Sequence, residues 1–255
     1  MLRSRVIPCL LVKNKGLVKT VQFSQPKYVG DPLNAVKIFN EKESDELVVL
    51  DIDATVEARE PDYQMIKNLA AECRMPLCYG GGGTTVDQFK KIISLGVEKV
   101  AVSAAAIRDP HLVKRAAEVV GSQSVVVALD VKKRRFSSKY DVYTHNGNQP
   151  TKKSVVELAS KFQELGAGEI VVNSIDRDGG MQGYDLKLIE QVRAAVSVPV
   201  TALGGAGSLD HIKEIVDHFG IIGASAGSLF VLKGKYRAVL ISYPNQLEKD
   251  EIISY

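Results

Sequence analysis

The chain has 255 residues, 45% hydrophobic and 25% charged, and its 33 basic and 30 acidic side chains leave a formal net charge of +3. That balance, with no long run of one sign, argues against a nucleic-acid surface, which needs a basic stripe. No apolar run approaches the ~20 residues that span a bilayer, and the short apolar run 6–12 is followed by no signal-peptide cleavage pattern, so a cytoplasmic protein is expected.

In chain order, β-branched apolar runs predict strands at residues 6–12, 47–52, 76–79, 100–103, 125–131, 170–174, 198–203 and 221–226. Most are continuously apolar rather than alternating, as in a parallel sheet buried on both faces. Amphipathic segments lie between them. Asp31–Lys42 opens on Asp then Pro, a cap followed by a first-turn proline, and Asp109-Pro110 repeats that signal before His111–Val120. After the fifth strand, Lys132–His145 reads as a polar hairpin on the face where a barrel does its chemistry. Eight strands with interleaved helices in a chain of this length predict an α/β fold, a (β/α)8 TIM barrel, as a single domain. Cys9, Cys73 and Cys78 lack CxxC spacing and read as reduced core thiols.

The chain also repeats itself. The segment Glu46–Asp53 matches Glu169–Asp176, and Pro76–Gly83 matches Pro199–Gly207 with one residue inserted. A repeat of half the chain is too long for a solenoid unit. It fits two half-barrels, about 1–121 and 122–240, followed by a tail, 241–255.

Three groups of residues could carry chemistry. Gly80–Gly83 and Gly204–Gly207 each follow a strand, and glycine lets backbone N–H groups approach an anion without a Cβ in the way. With the loops holding Ser103 and Ser228, they predict two phosphate sites, one per half, using Gly82, Gly83, Ser103, Gly205, Gly207 and Ser228. Carboxylates come second. Asp130 terminates an apolar run at a strand's C-terminal end, where a general base sits in such barrels; Asp51, Asp176 and Asp178 occupy similar places but equally fit loop caps or ion pairs. Third, Arg5, Glu46, Lys99 and Glu169 lie at strand starts, two positive and two negative, either as solvated rim or as a ring around the barrel's bottom opening. His111, His145, His211 and His218 show no metal-ligand spacing, so no metal is expected.

Across residues 1 to about 230 the segments Arg5–Leu10, Gly30-Asp31-Pro32, Asp45-Glu46-Leu47, Gly121-Ser122-Gln123, Gly166–Ile170 and Asp176–Gly179 resemble the cyclase subunit of imidazole glycerol phosphate synthase. The resemblance implies a glutaminase partner docked on the strand N-termini, over a standard interface on the order of 1,600 Å². It implies ammonia entering through a gate of Arg5, Glu46, Lys99 and Glu169, crossing the barrel, and reacting with a bis-phosphorylated ribulosyl nucleotide. No metal or organic cofactor is implied. The family's strand-five aspartate is Asp130, and its loop lysine is Lys19. Its strand-one aspartate is replaced by Leu11, which can neither donate nor accept a proton. Ser103-Ala104 stands for the usual Asn-Thr, Gly180 for threonine and Leu203 for serine.

Three readings follow. The chain is a paralogue that docks a glutaminase and conducts ammonia while the cyclisation is lost or altered, the nitrogen passing to another acceptor such as a surface-polysaccharide sugar through a third protein. Or it is a working histidine-pathway cyclase in which Asp51 or Asp53 substitutes. Or it is a scaffold that only activates a glutaminase.

Overall fold

The computed structural model describes residues 3–135 and 137–253. Phe136 of the expected hairpin, the first two residues and the last two of the expected tail lie outside the described residues. The strands are β1 Arg5–Lys13, β2 Gly16–Val21, β3 Ser24–Gly30, β4 Leu47–Asp51, β5 Leu77–Gly80, β6 Lys99–Val102, β7 Val125–Lys133, β8 Tyr140–Thr144, β9 Gln149–Ser154, β10 Glu169–Ser174, β11 Val200–Leu203, β12 Gly223–Ala226 and a short pair, β13 Leu232–Lys233 and β14 Ala238–Val239. The helices are α1 Pro32–Glu41, α2 Tyr63–Glu72, α3 Val86–Ser94, α4 Ala104–Arg108, α5 His111–Val120, α6 Val155–Glu164, α7 Leu186–Ala195, α8 Leu209–Phe219, α9 Ser228–Val231 and α10 Gln246–Ile253.

Eight strands pair in parallel in the order β1, β4, β5, β6, β7, β10, β11 and β12, and β12 closes back onto β1. Followed pair by pair, the register carries Leu11 once around the barrel to Arg3, eight residues earlier. That stagger is the one a (β/α)8 barrel requires to close. Outward-facing Val49, Tyr79, Val127 and Val172 join the main core beneath the helices. Inward-facing Ile7, Cys9, Val48, Cys78, Ala101, Val126 and Val171 form a separate apolar cluster inside the barrel. Both faces of each strand are therefore buried, which is why the runs are continuously apolar. The last two barrel strands are shorter than expected, because Pro199 has no N–H for the ladder, and residues 221–222 only lead into it.

The Asp31 signal caps α1 as read, its carboxylate accepting from Asn34 N at 3.0 Å. Asp109-Pro110 is used differently. Pro110 already has helical geometry as the cap residue of α5, while Asp109 ends α4 and accepts from His111 N at 3.1 Å.

The hairpin after the fifth barrel strand is present and longer than expected: β7, β8 and β9 form an antiparallel meander above the barrel. An equivalent meander, β1–β2–β3, rises from the first barrel strand and was not expected from the sequence. Its turns are two-residue connections with both residues at positive φ, Asn14 (48°) with Lys15 (65°), and Gln22 (50°) with Phe23 (61°). Such turns usually announce themselves with Asn-Gly or Asp-Gly. Here only Asn14 is a customary residue, so the turn signal is faint. The tail closes the bottom. Tyr243 packs against Phe39 and Phe230, donates to Val6 O at 2.8 Å and accepts from Asp45 N at 3.0 Å. Lys249 of α10 is buried against Asp45 at 3.1 Å.

Candidate functional site

At the N-terminal ends of the strands, Arg5, Glu46, Lys99 and Glu169 form a closed ring of alternating charge. Lys99 Nζ reaches Glu46 Oε1 at 2.8 Å and Glu169 Oε2 at 2.8 Å; Arg5 reaches Glu169 Oε1 at 2.8 Å and pairs with Glu46. Both glutamates are buried, so a solvated rim is excluded. Burial opposes the charge on Arg5 and Lys99, but the two glutamates outweigh it and hold both pKa values above their ordinary level. Burial likewise opposes the carboxylate of Glu169, and Arg5 and Lys99 overcome it, so its pKa is lowered. Thr201, absent from the sequence reading, adds a hydroxyl donated to Glu169 Oε1 at 2.5 Å.

Side chains alternate in and out along each strand, so residues two apart share the interior. Glu169, Val171 and Asn173 climb β10 from the ring to the top, a rise of about 13 Å at ~3.3 Å per residue. Arg5, Ile7, Cys9 and Leu11 climb β1 in the same way. The interior between is apolar, and burial pushes the Cys9 thiol up to about 11, so it stays neutral.

At the C-terminal ends two adjoining pockets open. One is lined by Leu11, Lys19, Phe23, Asn173, Asp178, Leu203, Gly204, Gly205 and Ser228, among others. The other is lined by Asp51, Gly80–Gly83, Ser103, Ala104 and Ala128. Leu50, Ile52, Asp130 and Asn146 belong to both, so Asp130 stands between the two pockets.

Asp130 accepts from Asn173 Nδ2 at 2.9 Å. Burial pushes its carboxyl up to about 6, helped by the Asp178 charge and opposed by the Asn173 hydrogen bond. A carboxylate poised there can exchange a proton near neutral pH. Asn173 itself was missed, although an amide inside the apolar run of residues 170–174 is the same kind of signal that marked Asp130. It is 6% exposed, and its Oδ1 has no partner.

Lys19, on β2, is 7% exposed, and its ammonium donates to Cys9 O at 2.8 Å. Burial lowers its pKa, against the Asp178 charge. A Cβ at Gly227 would lie 2.2 Å from Lys19 Nζ, so the glycine makes room for the lysine head. Asp178 is both a site residue and a clamp. Its Oδ2 accepts from Thr20 Oγ1 at 2.8 Å and Phe23 N at 3.2 Å, which holds the left-handed Gln22-Phe23 turn over the pocket. Burial raises its pKa, opposed by these donors and by Lys19.

The other acidic candidates serve their loops. Asp51 Oδ1 accepts from Asp53 N and Ala54 N, both at 3.1 Å, and its Oδ2 lies 3.4 Å from Arg59. Asp53 pairs with Lys13 at 3.0 Å, and exposed Asp176 accepts from Lys133 N at 2.9 Å.

The glycine loops are geometrically required. A Cβ at Gly82 would sit 2.7 Å from Arg59 O, one at Gly205 2.1 Å from Gly183 O, and one at Gly207 2.4 Å from Met181 O; the site at Gly83 is roomier, 3.4 Å from the Phe89 ring. The helices that follow these loops are already capped. Thr85 and Gln88 form a capping box on α3, and Ser208 caps α8. The Gly207 N–H is also taken, donating to His211 Nδ1 at 3.1 Å. The uncapped helix starts facing the pockets are instead those of α4, after Ser103, and α9, at Ser228. Ser103 Oγ is buried without a partner in the second pocket.

Among the described residues no cluster of His, Cys, Asp and Glu could hold a metal, and no helix is long and apolar enough to cross a membrane. Residues 5–237 match the family described as histidine biosynthesis protein. The chain is 57% identical over 253 residues (99% of this chain, 97% of the relative) to a Vibrio vulnificus (strain YJ016) protein named "Putative imidazole glycerol phosphate synthase subunit hisF3". It is 55% identical over 252 residues (99% of each) to a Leptospira borgpetersenii protein named "Putative imidazole glycerol phosphate synthase subunit HisF". It is 42% identical over 233 residues (91% and 92%) to the "Imidazole glycerol phosphate synthase subunit HisF" of Clostridium botulinum (strain Okra / Type B1). With residues 5–237 matched and relatives alike over nearly the whole chain, this protein belongs to the histidine biosynthesis protein family, as a divergent HisF-like subunit.

Proposed function

We propose that this chain is the barrel subunit of a glutamine-dependent amidotransferase in which cyclase chemistry is lost or altered. A glutaminase docks on the strand N-termini and releases ammonia at the Arg5–Glu46–Lys99–Glu169 ring. The ammonia crosses the apolar interior, which favours the neutral molecule over ammonium. It then passes to an acceptor other than the imidazole precursor, handed on by a third protein, with a surface-polysaccharide sugar as the expected class. The two glycine-lined pockets bind phosphorylated ligand.

The observation that carries this reading is an asymmetry between the two ends of one barrel. The ring is complete and paired, and both its glutamates are buried. At the top, Leu11 takes the inward position at the end of β1, and Asp130 is left hydrogen-bonded to an amide. General acid–base work by two carboxylates needs a proton donor and an acceptor, and losing one typically costs about 10²–10⁴ in rate. Displacement of the missing acid to Asp51 or Asp53 is disfavoured, because Asp51 is engaged by its own loop and by Arg59, and Asp53 is paired with Lys13.

The test is complementation of a strain lacking its cyclase subunit, together with turnover of the imidazole precursor by the isolated barrel at high ammonium. Neither growth without histidine nor turnover is expected. Restored growth, or turnover abolished by Asp130→Asn, overturns the proposal. A bulky residue beside Lys99 that leaves glutamine-driven product formation by the whole complex unchanged would argue against conduction.

A further inference from the structure

The floor of the pocket beside Lys19 is chemically divided. Barrel register places Leu50, Leu11, β12, Leu203, Asn173 and Asp130 side by side in that order. One arc is therefore aliphatic and the adjoining arc is an amide and a carboxyl. Two features mark where a ligand would be held. The buried ammonium of Lys19, close against Gly227, supplies positive charge at one end, and the Gly227-Ser228 backbone supplies N–H donors there. At the other end Asn173, 6% exposed as a residue, has an Oδ1 without a donor, while its Nδ2 is committed to Asp130. A buried acceptor left unmade is costly, so a ligand N–H or O–H is the group it fits. Between the two ends a bound molecule crosses Leu203, with Leu11 on the other side of β12 beside the Lys19 end, and against either leucine a hydroxyl would lose its water and find no partner.

We propose that this pocket takes a phosphomonoester whose carbon chain is deoxygenated where it crosses Leu203 and lies beside Leu11, and which carries one hydroxyl or amine donor at the far end for Asn173. This rests on the reading of the Lys19–Gly227–Ser228 end as a phosphate cradle. It deepens that reading by naming the ligand class: a deoxy or acylated skeleton rather than a fully hydroxylated one.

The experiment is calorimetric titration of the isolated chain with three four-carbon phosphomonoesters, n-butyl phosphate, 4-hydroxybutyl phosphate and erythritol 4-phosphate, with inorganic phosphate as the reference. Both deoxygenated esters are expected to bind at least about ten-fold more tightly than erythritol 4-phosphate, since each stranded hydroxyl costs on the order of a ten-fold factor. The terminal hydroxyl adds several-fold over butyl, and Asn173→Leu removes that increment alone. Leu11→Asn and Leu203→Ser narrow the preference against the polyol. The proposal is overturned if erythritol 4-phosphate binds as tightly as the butyl ester, or if no ester binds better than inorganic phosphate. The wild-type series decides it even if a variant does not fold. Because no glutaminase is present, failure here is separate from failure of the ammonia-transfer reading.

Discussion

Replacing Asp130 by Asn should make the protein more stable at neutral pH and leave it unchanged in acid. The Asp130 carboxyl is raised from an ordinary 3.8 to about 6, chiefly by burial. A raised acid destabilises the fold wherever the unfolded chain has released the proton and the folded chain still holds it or is charged unfavourably. The penalty is thus absent below about pH 4, accumulates as pH rises to 6, and is fully present above that. Two pKa units at about 1.36 kcal/mol each set a ceiling near 3 kcal/mol. Asp130 keeps some contact with solvent, so a gain of roughly 2 kcal/mol is expected for Asp130→Asn, or about 4–8 °C in Tm for a chain of this size. The Asn side chain still accepts from Asn173 through its carbonyl, so the 2.9 Å contact need not be lost. Urea unfolding of both proteins at half-unit steps from pH 4 to 8 measures the difference. A stabilisation that does not vary with pH, or a loss at pH 7.5, would refute the reasoning, because either would mean the carboxyl is not held out of water.

Three further outcomes test other parts of the structure. Lys99→Met leaves the buried Glu46 and Glu169 without one shared cation and should cost about 3–5 kcal/mol at pH 7; the loss should shrink as pH falls and Glu169 takes up a proton, as chemical denaturation at pH 5 and pH 7 will show. Gly205→Ala places a Cβ 2.1 Å from Gly183 O at a backbone φ of +113°, so a loss of about 2–4 kcal/mol in thermal unfolding is expected, with disturbed binding of phosphate esters. Tyr243→Phe removes the hydroxyl that joins Val6 O and Asp45 N across the bottom of the barrel, and equilibrium unfolding should register about 1–2 kcal/mol.

The barrel was legible in the sequence, because strands buried on both faces are apolar at nearly every position and the chain carries eight largely apolar runs separated by amphipathic segments. Glycine loops after two matched strands and Asp130 at the end of an apolar run were legible too, since a charge or a missing side chain in those places conflicts with burial unless something uses it. The sequence alone could not decide between rim and ring for Arg5, Glu46, Lys99 and Glu169, which are up to 164 residues apart in the chain and become neighbours only when β12 closes on β1. Tertiary contact likewise set Asn173 against Asp130 and left its other amide atom an unmet acceptor, whereas the bonds that tie Asp51 to its own loop and the Gly207 amide to His211 are local. The β1–β2–β3 meander escaped detection because, apart from Asn14, its left-handed turns are built from Lys, Gln and Phe, and the Gln22-Phe23 turn is held instead by Asp178, a residue some 155 positions away. Local rules read what each residue tolerates; which groups share a site depends on closure of the barrel, and closure is a property of all eight strands together.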